Sequence, residues 1–317
     1  MKILVTPTSL QPGTSSEALN TLKEFSDDLL FNPYGRPLNE EELIPLLSEC
    51  EGYIAGLDYI TARVLENCPH LKVISRYGAG YDRIDLHAAK NRGISVTNTP
   101  GANAEAVGEL AIALVLSVAR RIASLDTTTK KGDWVRSTGM ELKGKTMGIV
   151  GLGSIGKIVA RCAQGFQMKV IAYDPFIDAD SLSDSQILSC TLEQIYEQAD
   201  VISLHLPLND ATRHLIGQDA ISKMKSSAII INTSRGGIID ENAVYHALKE
   251  GRLGGLGLDV FELEPPKDSP LFSLDNVVVT PHTGAHTREA TLHMADLAVK
   301  NLIDVLSGND CPYIVNR

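Results

Sequence analysis

The stretch GIVGLGSIGKIVA, Gly148–Ala160, decides how this chain is read. An apolar run, Met147–Val150, meets Gly151, Gly153 and Gly156 in the spacing G-x-G-x-x-G, and an apolar-periodic segment, Ile155–Ala163, follows. Strand, glycine turn and helix in that order cradle the pyrophosphate of a dinucleotide. Gly151 permits the tight turn, Gly153 the close approach of phosphate, and Gly156 the packing of helix on strand. The helix start aims unpaired N–H groups and a positive dipole end at the anion. The next apolar run, KVIAY, ends at Asp174, near the expected spacing of about 20 residues. A carboxylate there accepts hydrogen bonds from both ribose hydroxyls and repels a 2′-phosphate. Pro175 and Phe176 bring no cation to offset it. The expected cofactor is therefore NAD rather than NADP.

Outward from this unit, TMGIVGLG, KVIAYDP, DVISLHLP, AIIINTS, GLGLDVF and VVVTPH read as six strands, each followed by a helix or turn. That matches a dinucleotide-binding sheet in two mononucleotide halves. Upstream, KILVTP, GYIAG, LKVISRYG and ISVTNTP read as strands. They alternate with helices in SSEALNTLKEF (opened by Ser16), EELIPLLSEC, TARVLENCP and IDLHAAKNRG (closed by Gly93). Such alternation points to parallel βα units. Residues 102–124 read as one long apolar helix, and DTTTKKGDWVRSTGMELKGK as a surface arm. TREATLHMADLAVKNLIDVLSG is a long helix that returns to the first unit. The expected fold class is α/β: two Rossmann-like or flavodoxin-like parallel-sheet domains, the NAD-binding Rossmann domain (99–284) inserted into a substrate domain (1–98 and 285–317).

The 317 residues suit two packed domains. A net charge of −10 and no basic block argue against nucleic acid and anionic membranes as partners. The apolar run LAIALVLSVA is short for a membrane span and reads as a buried helix. Five scattered cysteines show no metal-ligand spacing and no disulfide framework, so no metal is expected. With no signal-peptide core at the N-terminus, the cytoplasm is the expected compartment.

Three residues at strand ends carry the chemistry. Arg235 follows AIIINTS on a glycine-rich turn, Glu264 follows GLGLDVF before two prolines, and His282 follows VVVTP. Taken singly, each has a plain reading as a surface or loop residue. Together, at the carboxyl ends of strands in one dinucleotide sheet, they face the ligand side. Arg235 can grip a substrate carboxylate bidentately and polarise a carbonyl. His282 can take the proton of an alcohol as hydride leaves, or return it in reduction. Glu264 can hold the imidazole in one tautomer and stabilise its cation.

On these motifs, with SRYGAGYDRIDL, VTNTPGANAEAVGELAIAL, INTSRGGIIDENAV and TPHTGAHTREAT, the chain resembles the D-isomer-specific 2-hydroxyacid dehydrogenases across residues 50–306. Within them it is most similar to the phosphoglycerate dehydrogenase-like branch. The resemblance implies the catalytic roles of Arg235, Glu264 and His282. It implies that Asp259 meets the nicotinamide carboxamide, the Thr233 region lines that pocket and Val107 backs it. Ser154 and Ile155 would touch the pyrophosphate, and Leu206 and Pro207 the adenosine side. Tyr77, Gly78, Ala79 and Gly80 would offer backbone N–H groups to the substrate carboxylate. It also implies a homodimer through the Rossmann domain and its arm. The chain is too short for the C-terminal regulatory domain of many phosphoglycerate enzymes.

The substrate is expected to be a small anionic 2-hydroxy or 2-keto acid. D-3-phosphoglycerate is the leading candidate, with glyoxylate, hydroxypyruvate or another short polar-tailed acid as the alternative. Arg76 favours an anionic tail. Gly56, where those enzymes commonly place arginine, and the nearby Asp58 argue against phosphate. His286 replaces their usual serine, as a contact to a polar tail or as a helix-capping surface residue. An NAD-sensing corepressor and an L-specific dehydrogenase are the readings from other classes.

Overall fold

Two parallel sheets carry the chain, in a computed structural model that describes residues 1–14, 16–177, 182 and 185–317. They belong to two units, Met1–Asn103 with Ala285–Arg317, and Ala104–Gly284.

In the first unit the strands are β1 (Lys2–Val5), β2 (Asp28–Phe31), β3 (Gly52–Ala55), β4 (Val73–Arg76) and β5 (Ser95–Thr97), in the order β2-β1-β3-β4-β5. All pairings are parallel. The helices are α1 (Glu17–Phe25), α2 (Glu40–Leu47), α3 (Ala62–Glu66) and α4 (Leu86–Asn91). Ser16 caps α1 by accepting from the Leu19 amide, and Asn39 with Glu42 forms a capping box on α2. β2 escapes a sequence reading because DLLF is an edge strand that buries none of its residues fully. Its pattern lacks the buried face that marks an inner strand.

The second unit opens with α5 (Ala104–Ala119) and α6 (Ile122–Lys130). Its strands are β6 (Thr146–Val150), β7 (Lys169–Tyr173), β8 (Ile187–Ser189), β9 (Val201–Leu204), β10 (Ile229–Asn232), β11 (Gly255–Leu258) and β12 (Val277–Val279). Helices α7 (Ser154–Gly165), α8 (Leu192–Gln198), α9 (Gln218–Ser222) and α10 (Glu241–Lys249) connect them, and α11 (Arg288–Leu306) returns to the first unit. The sheet order is β8-β7-β6-β9-β10-β11-β12, all parallel. That is the doubly wound dinucleotide order with one strand added beyond β11, and its switch point lies between β6 and β9. β8, three residues on the other edge, is the strand the sequence reading passed over.

The single helix expected over 102–124 is two. Arg121 takes a left-handed conformation at φ +54°, and the Ala119 carbonyl accepts from the Met140 amide at 2.8 Å instead of from a next helical turn. α5 is apolar and buried along most of its length. Two arginines follow it and must reach water, so the chain turns out. α6 buries none of its residues.

Candidate active site

The glycine turn folds as its spacing implies. Gly151 sits at φ +94°, where a Cβ would lie 2.5 Å from the His205 carbonyl oxygen. A Cβ on Gly156 would lie 2.2 Å from the Gly151 oxygen. Both glycines are required by the fold itself. Gly153 differs: its φ of −71° suits any residue, and a Cβ there would meet nothing within 4 Å. That open space lies at the N-terminus of α7, where Ser154 and Ile155 begin the helix and no side chain caps it. The donors and the room fit a dinucleotide phosphate. Asp174, just past β7, accepts from the Leu152 amide at 2.8 Å and from the Phe176 amide at 2.9 Å. It braces the glycine turn. Leu206 follows β9 beside Gly151, and the Pro207 carbonyl accepts from Thr212 Oγ1 at 2.7 Å.

Three loops then leave β10, β11 and β12 at the same edge. Asn232 Nδ2 donates to the Arg235 carbonyl at 2.7 Å and its Oδ1 accepts from the Ser234 amide at 3.0 Å, which shapes the Arg235 turn. Arg235 Nη1 donates to the Ser234 carbonyl at 2.6 Å. Glu264 Oε1 accepts from the Phe261 amide at 3.2 Å, and Oε2 pairs with His282 Nδ1 at 2.8 Å. Their side chains are 14% and 27% exposed, dry enough to strengthen the pair and open enough to be reached. The bond fixes the proton on Nδ1 and leaves Nε2 for a substrate oxygen. His282 sits at φ +50°, a strained conformation for a histidine, held by its amide donating to the Asp259 carbonyl at 2.8 Å.

Asp259 is 1% exposed. Its Oδ1 accepts from Thr280 Oγ1 at 2.6 Å and the Thr283 amide at 2.8 Å, and its Oδ2 from the Gly284 amide at 2.8 Å. Three of about four lone-pair directions therefore hold the loop that presents His282. Val107 packs beside that loop, 3.4 Å from where a Gly284 Cβ would stand.

His205 was not singled out from the sequence. Its Nε2 lies 2.9 Å from Ser203 Oγ, while its Nδ1 and the Oγ1 of Thr233 are buried with no hydrogen-bond partner. Register places His205, Thr233 and Asp259 one step past Leu204, Asn232 and Leu258, side by side on three strand ends. Orphaned buried polar atoms at the carboxyl ends of strands are what a ligand or water would satisfy. The signal available was a histidine closing an otherwise apolar strand.

In the first unit the peptide carbonyls of Gly78 and Ala79 accept from the Thr99 amide (3.1 Å) and Asn98 Nδ2 (2.7 Å). Because N–H and C=O oppose each other across a trans peptide, this turns the amides of Ala79 and Gly80 the other way, as an anion nest. The amides of Tyr77 and Gly78 donate inside the fold, to Ala55 O at 2.9 Å and Arg76 O at 3.0 Å. The expected role therefore narrows to two amides. The Tyr77 hydroxyl donates to the Thr291 carbonyl at 2.8 Å. Arg76 directs Nη1 to the carbonyls of Tyr77 and Ala55 and so braces this loop. Asp58 requires a correction. It is 2% exposed, bonded to Thr6 Oγ1, to Tyr53 OH at 2.8 Å and to the Leu38 amide at 2.6 Å, and does not confront a substrate tail. His286 is exposed and does not cap α11; Thr287 does, through the Ala290 amide.

A profile of the D-isomer specific 2-hydroxyacid dehydrogenase NAD binding domain matches residues 112–284. Glyoxylate reductase of Korarchaeum cryptofilum is 40% identical over 289 residues, 89% of this chain and 87% of that enzyme. The chain belongs to the D-isomer specific 2-hydroxyacid dehydrogenases. This dehydrogenase is also 42% identical over 283 residues to D-3-phosphoglycerate dehydrogenase of Methanocaldococcus jannaschii, covering 88% of this chain and 54% of that one. A solved D-lactate dehydrogenase of Aquifex aeolicus, complexed with NAD and lactic acid, superposes with a TM-score of 0.86 at 29% identity, over 100% of this chain and 99% of the other. The dehydrogenase is thus an NAD-dependent enzyme of small hydroxy or keto acids, and the L-specific reading is excluded. Among the described residues, no cluster of acidic, histidine or cysteine side chains could hold a metal, and no helix is long and apolar enough to cross a membrane.

Proposed function

We propose that this dehydrogenase reduces a short unphosphorylated 2-keto acid, of the size of glyoxylate or hydroxypyruvate, to the D-2-hydroxy acid. The observation that carries the chemistry is the 2.8 Å bond between His282 Nδ1 and Glu264. With Nδ1 so held, His282 Nε2 gives a proton to the carbonyl oxygen in reduction and takes it back in oxidation. Glu264 offsets the imidazolium charge. Arg235 grips the carboxylate and stabilises negative charge developing on the carbonyl oxygen. The amides of Ala79 and Gly80 offer carboxylate-binding chemistry in the first unit. Bound NADH supplies the hydride. Ser154, Ile155 and Gly153 hold its phosphates, Asp174 its ribose, and Thr233, Asp259 and Val107 its nicotinamide, with Leu206 and Pro207 on the adenosine side. NAD is favoured over NADP because a 2′-phosphate would confront the Asp174 carboxylate.

The unphosphorylated tail is favoured by the cations. Gly56 brings none, and Arg76 is engaged in bracing its own loop. The phosphorylated acid is the second reading, supported by the 42% identity to the M. jannaschii enzyme. Five unpaired cysteines suit a reducing compartment such as the cytoplasm. The exposed arm suits a homodimer.

Purified protein is assayed for NADH oxidation with glyoxylate, hydroxypyruvate and phosphohydroxypyruvate in parallel. The expected order places the unphosphorylated acids first in kcat/KM; a preference for the phosphorylated one overturns the substrate assignment. His282→Ala is expected to lose roughly 100- to 10,000-fold in kcat while still binding NADH. Near-normal turnover in that variant would remove His282 from the chemistry.

A further inference from the structure

Behind Glu264 and His282 lies a second carboxylate layer that the acid–base chemistry leaves without work. Glu241 is the first residue of α10, and its Oε1 accepts a 2.6 Å hydrogen bond from the Glu262 amide. The contact is reciprocal: Glu262 Oε1 accepts from the Glu241 amide at 3.1 Å. One residue earlier in the same turn, the Phe261 amide is held by Glu264 itself. Two consecutive amides are thus fixed by two carboxylates, one from a separate helix and one from the turn's own far end. Whatever sets the Glu262 amide also sets the frame from which Glu264 reaches His282.

Helix capping does not account for Glu241, because Asp240 caps α10 through the Ala243 amide at 2.9 Å. Nor is the position a comfortable one for an anion. Burial raises the Glu241 carboxyl above its usual range, and the charges of Glu262 and Glu264 raise it further, against the Glu262 amide bond that lowers it. The charged groups that bear on it are Glu262 and Glu264 of the β11 loop. From the segment after β9 come His214, 3.2 Å from Glu262 Oε1, and Arg213, beside Gly237. A side chain kept there at an electrostatic cost has a reason to be acidic, and the reason on view is the turn that carries Glu264.

We infer that Glu241 is a positioning residue: it locks the Phe261–Glu264 turn so that Glu264 presents Oε2 to His282. This rests on the acid–base assignment above.

The test compares Glu241→Ala, Glu241→Gln and His282→Ala in the intact protein, each with a melting curve and a fluorescence titration with NADH. The kcat and kcat/KM of keto acid reduction are followed from pH 5 to 10. Glu241→Ala is expected to lower kcat about 10- to 100-fold with NADH binding unchanged. Glu241→Gln still accepts from the Glu262 amide and restores most of kcat. The KM for the keto acid stays within about twofold of wild type in both variants, because a residue that only positions Glu264 acts on kcat. Wild-type kinetics in Glu241→Ala overturn the inference. So does an equal loss in both Glu241 variants, or a loss carried by KM, which is what a merely structural role gives. Should Glu241→Ala fail to fold, Glu241→Asp, one methylene too short to hold the Glu262 amide, takes its place under the same criteria. An active His282→Ala overturns the acid–base assignment and this inference with it. An inactive His282→Ala beside an unaffected Glu241→Ala overturns this inference alone.

Discussion

At the scale of single residues, the buried polar groups decide how this enzyme responds to pH. Burial pushes the His205 imidazole down to about 4 from its ordinary 6.5. Between these values the unfolded chain binds a proton that the folded one refuses. The stability tied to a neutral His205 is therefore complete above pH 6.5 and is lost as the pH falls towards 4, by on the order of 3 kcal/mol at most. Denaturant unfolding at pH 7.5 and pH 5 is expected to show wild type weakening more than His205→Gln, whose amide keeps a partner for Ser203. An identical pH dependence in the two would mean that His205 is not buried in neutral form. Nothing in SLHLP distinguishes such a histidine. Its burial depends on β6 and β10 on either side, which the sequence does not place.

Among the elements, the close approach of two loops matters most. A Cβ on Gly236 would stand 1.9 Å from the Phe261 carbonyl carbon, so the Arg235 loop and the Glu264 loop touch backbone to backbone. Backbone cannot yield as a side-chain tip can. Gly236→Ala is expected to cost about 3 kcal/mol or more and to lower kcat/KM by parting the two loops. Gly153→Ala makes the contrast: its melting temperature should match wild type, while the KM for NADH rises because the new methyl enters the phosphate space. Equal melting temperatures for all three proteins would refute the Gly236 contact. The glycine spacing was legible because Gly156 packs on the Gly151 oxygen five residues back, whereas the His205 carbonyl that presses on Gly151 comes from far along the chain. The end of α5 was not, because the Ala119 carbonyl is capped by Met140 from beyond the next helix.

For the whole molecule, α6 and the segment after it present exposed apolar side chains. Trp134 is 83% exposed, Val135 59% and Ile122 52%, on a part of the chain that buries little of itself. Trp134 and Val135 are adjacent in sequence and both exposed, an apolar pair that association would cover. A second copy is expected to cover it. Trp134 is the chain's one tryptophan, so its emission reports directly. Sedimentation should give a dimer, and emission should shift to the red on dilution to monomer. Trp134→Arg with Val135→Asp should yield a monomer that still binds NADH. A wild-type monomer at micromolar concentration with fully solvated tryptophan emission overturns the expectation.

What the sequence determined by itself was everything whose cause is local. The alternation of strand and helix, the pyrophosphate turn, Asp174 at the next strand end, and Arg235, Glu264 and His282 after three apolar runs all rest on neighbours a few positions away. The tertiary structure alone decided which groups each carboxylate accepts from. From the chain, Asp58 reads as a charge near the substrate tail, the family resemblance makes Asp259 a nicotinamide contact, and Glu241 carries no reading at all. In the fold, Asp58 turns inward to Tyr53, Thr6 and Leu38, Asp259 holds the His282 loop, and Glu241 grips the Glu262 amide. A carboxylate acts where its oxygens point, and most of their partners here lie some 20 to 50 positions away in sequence, brought within about 3 Å by strand order.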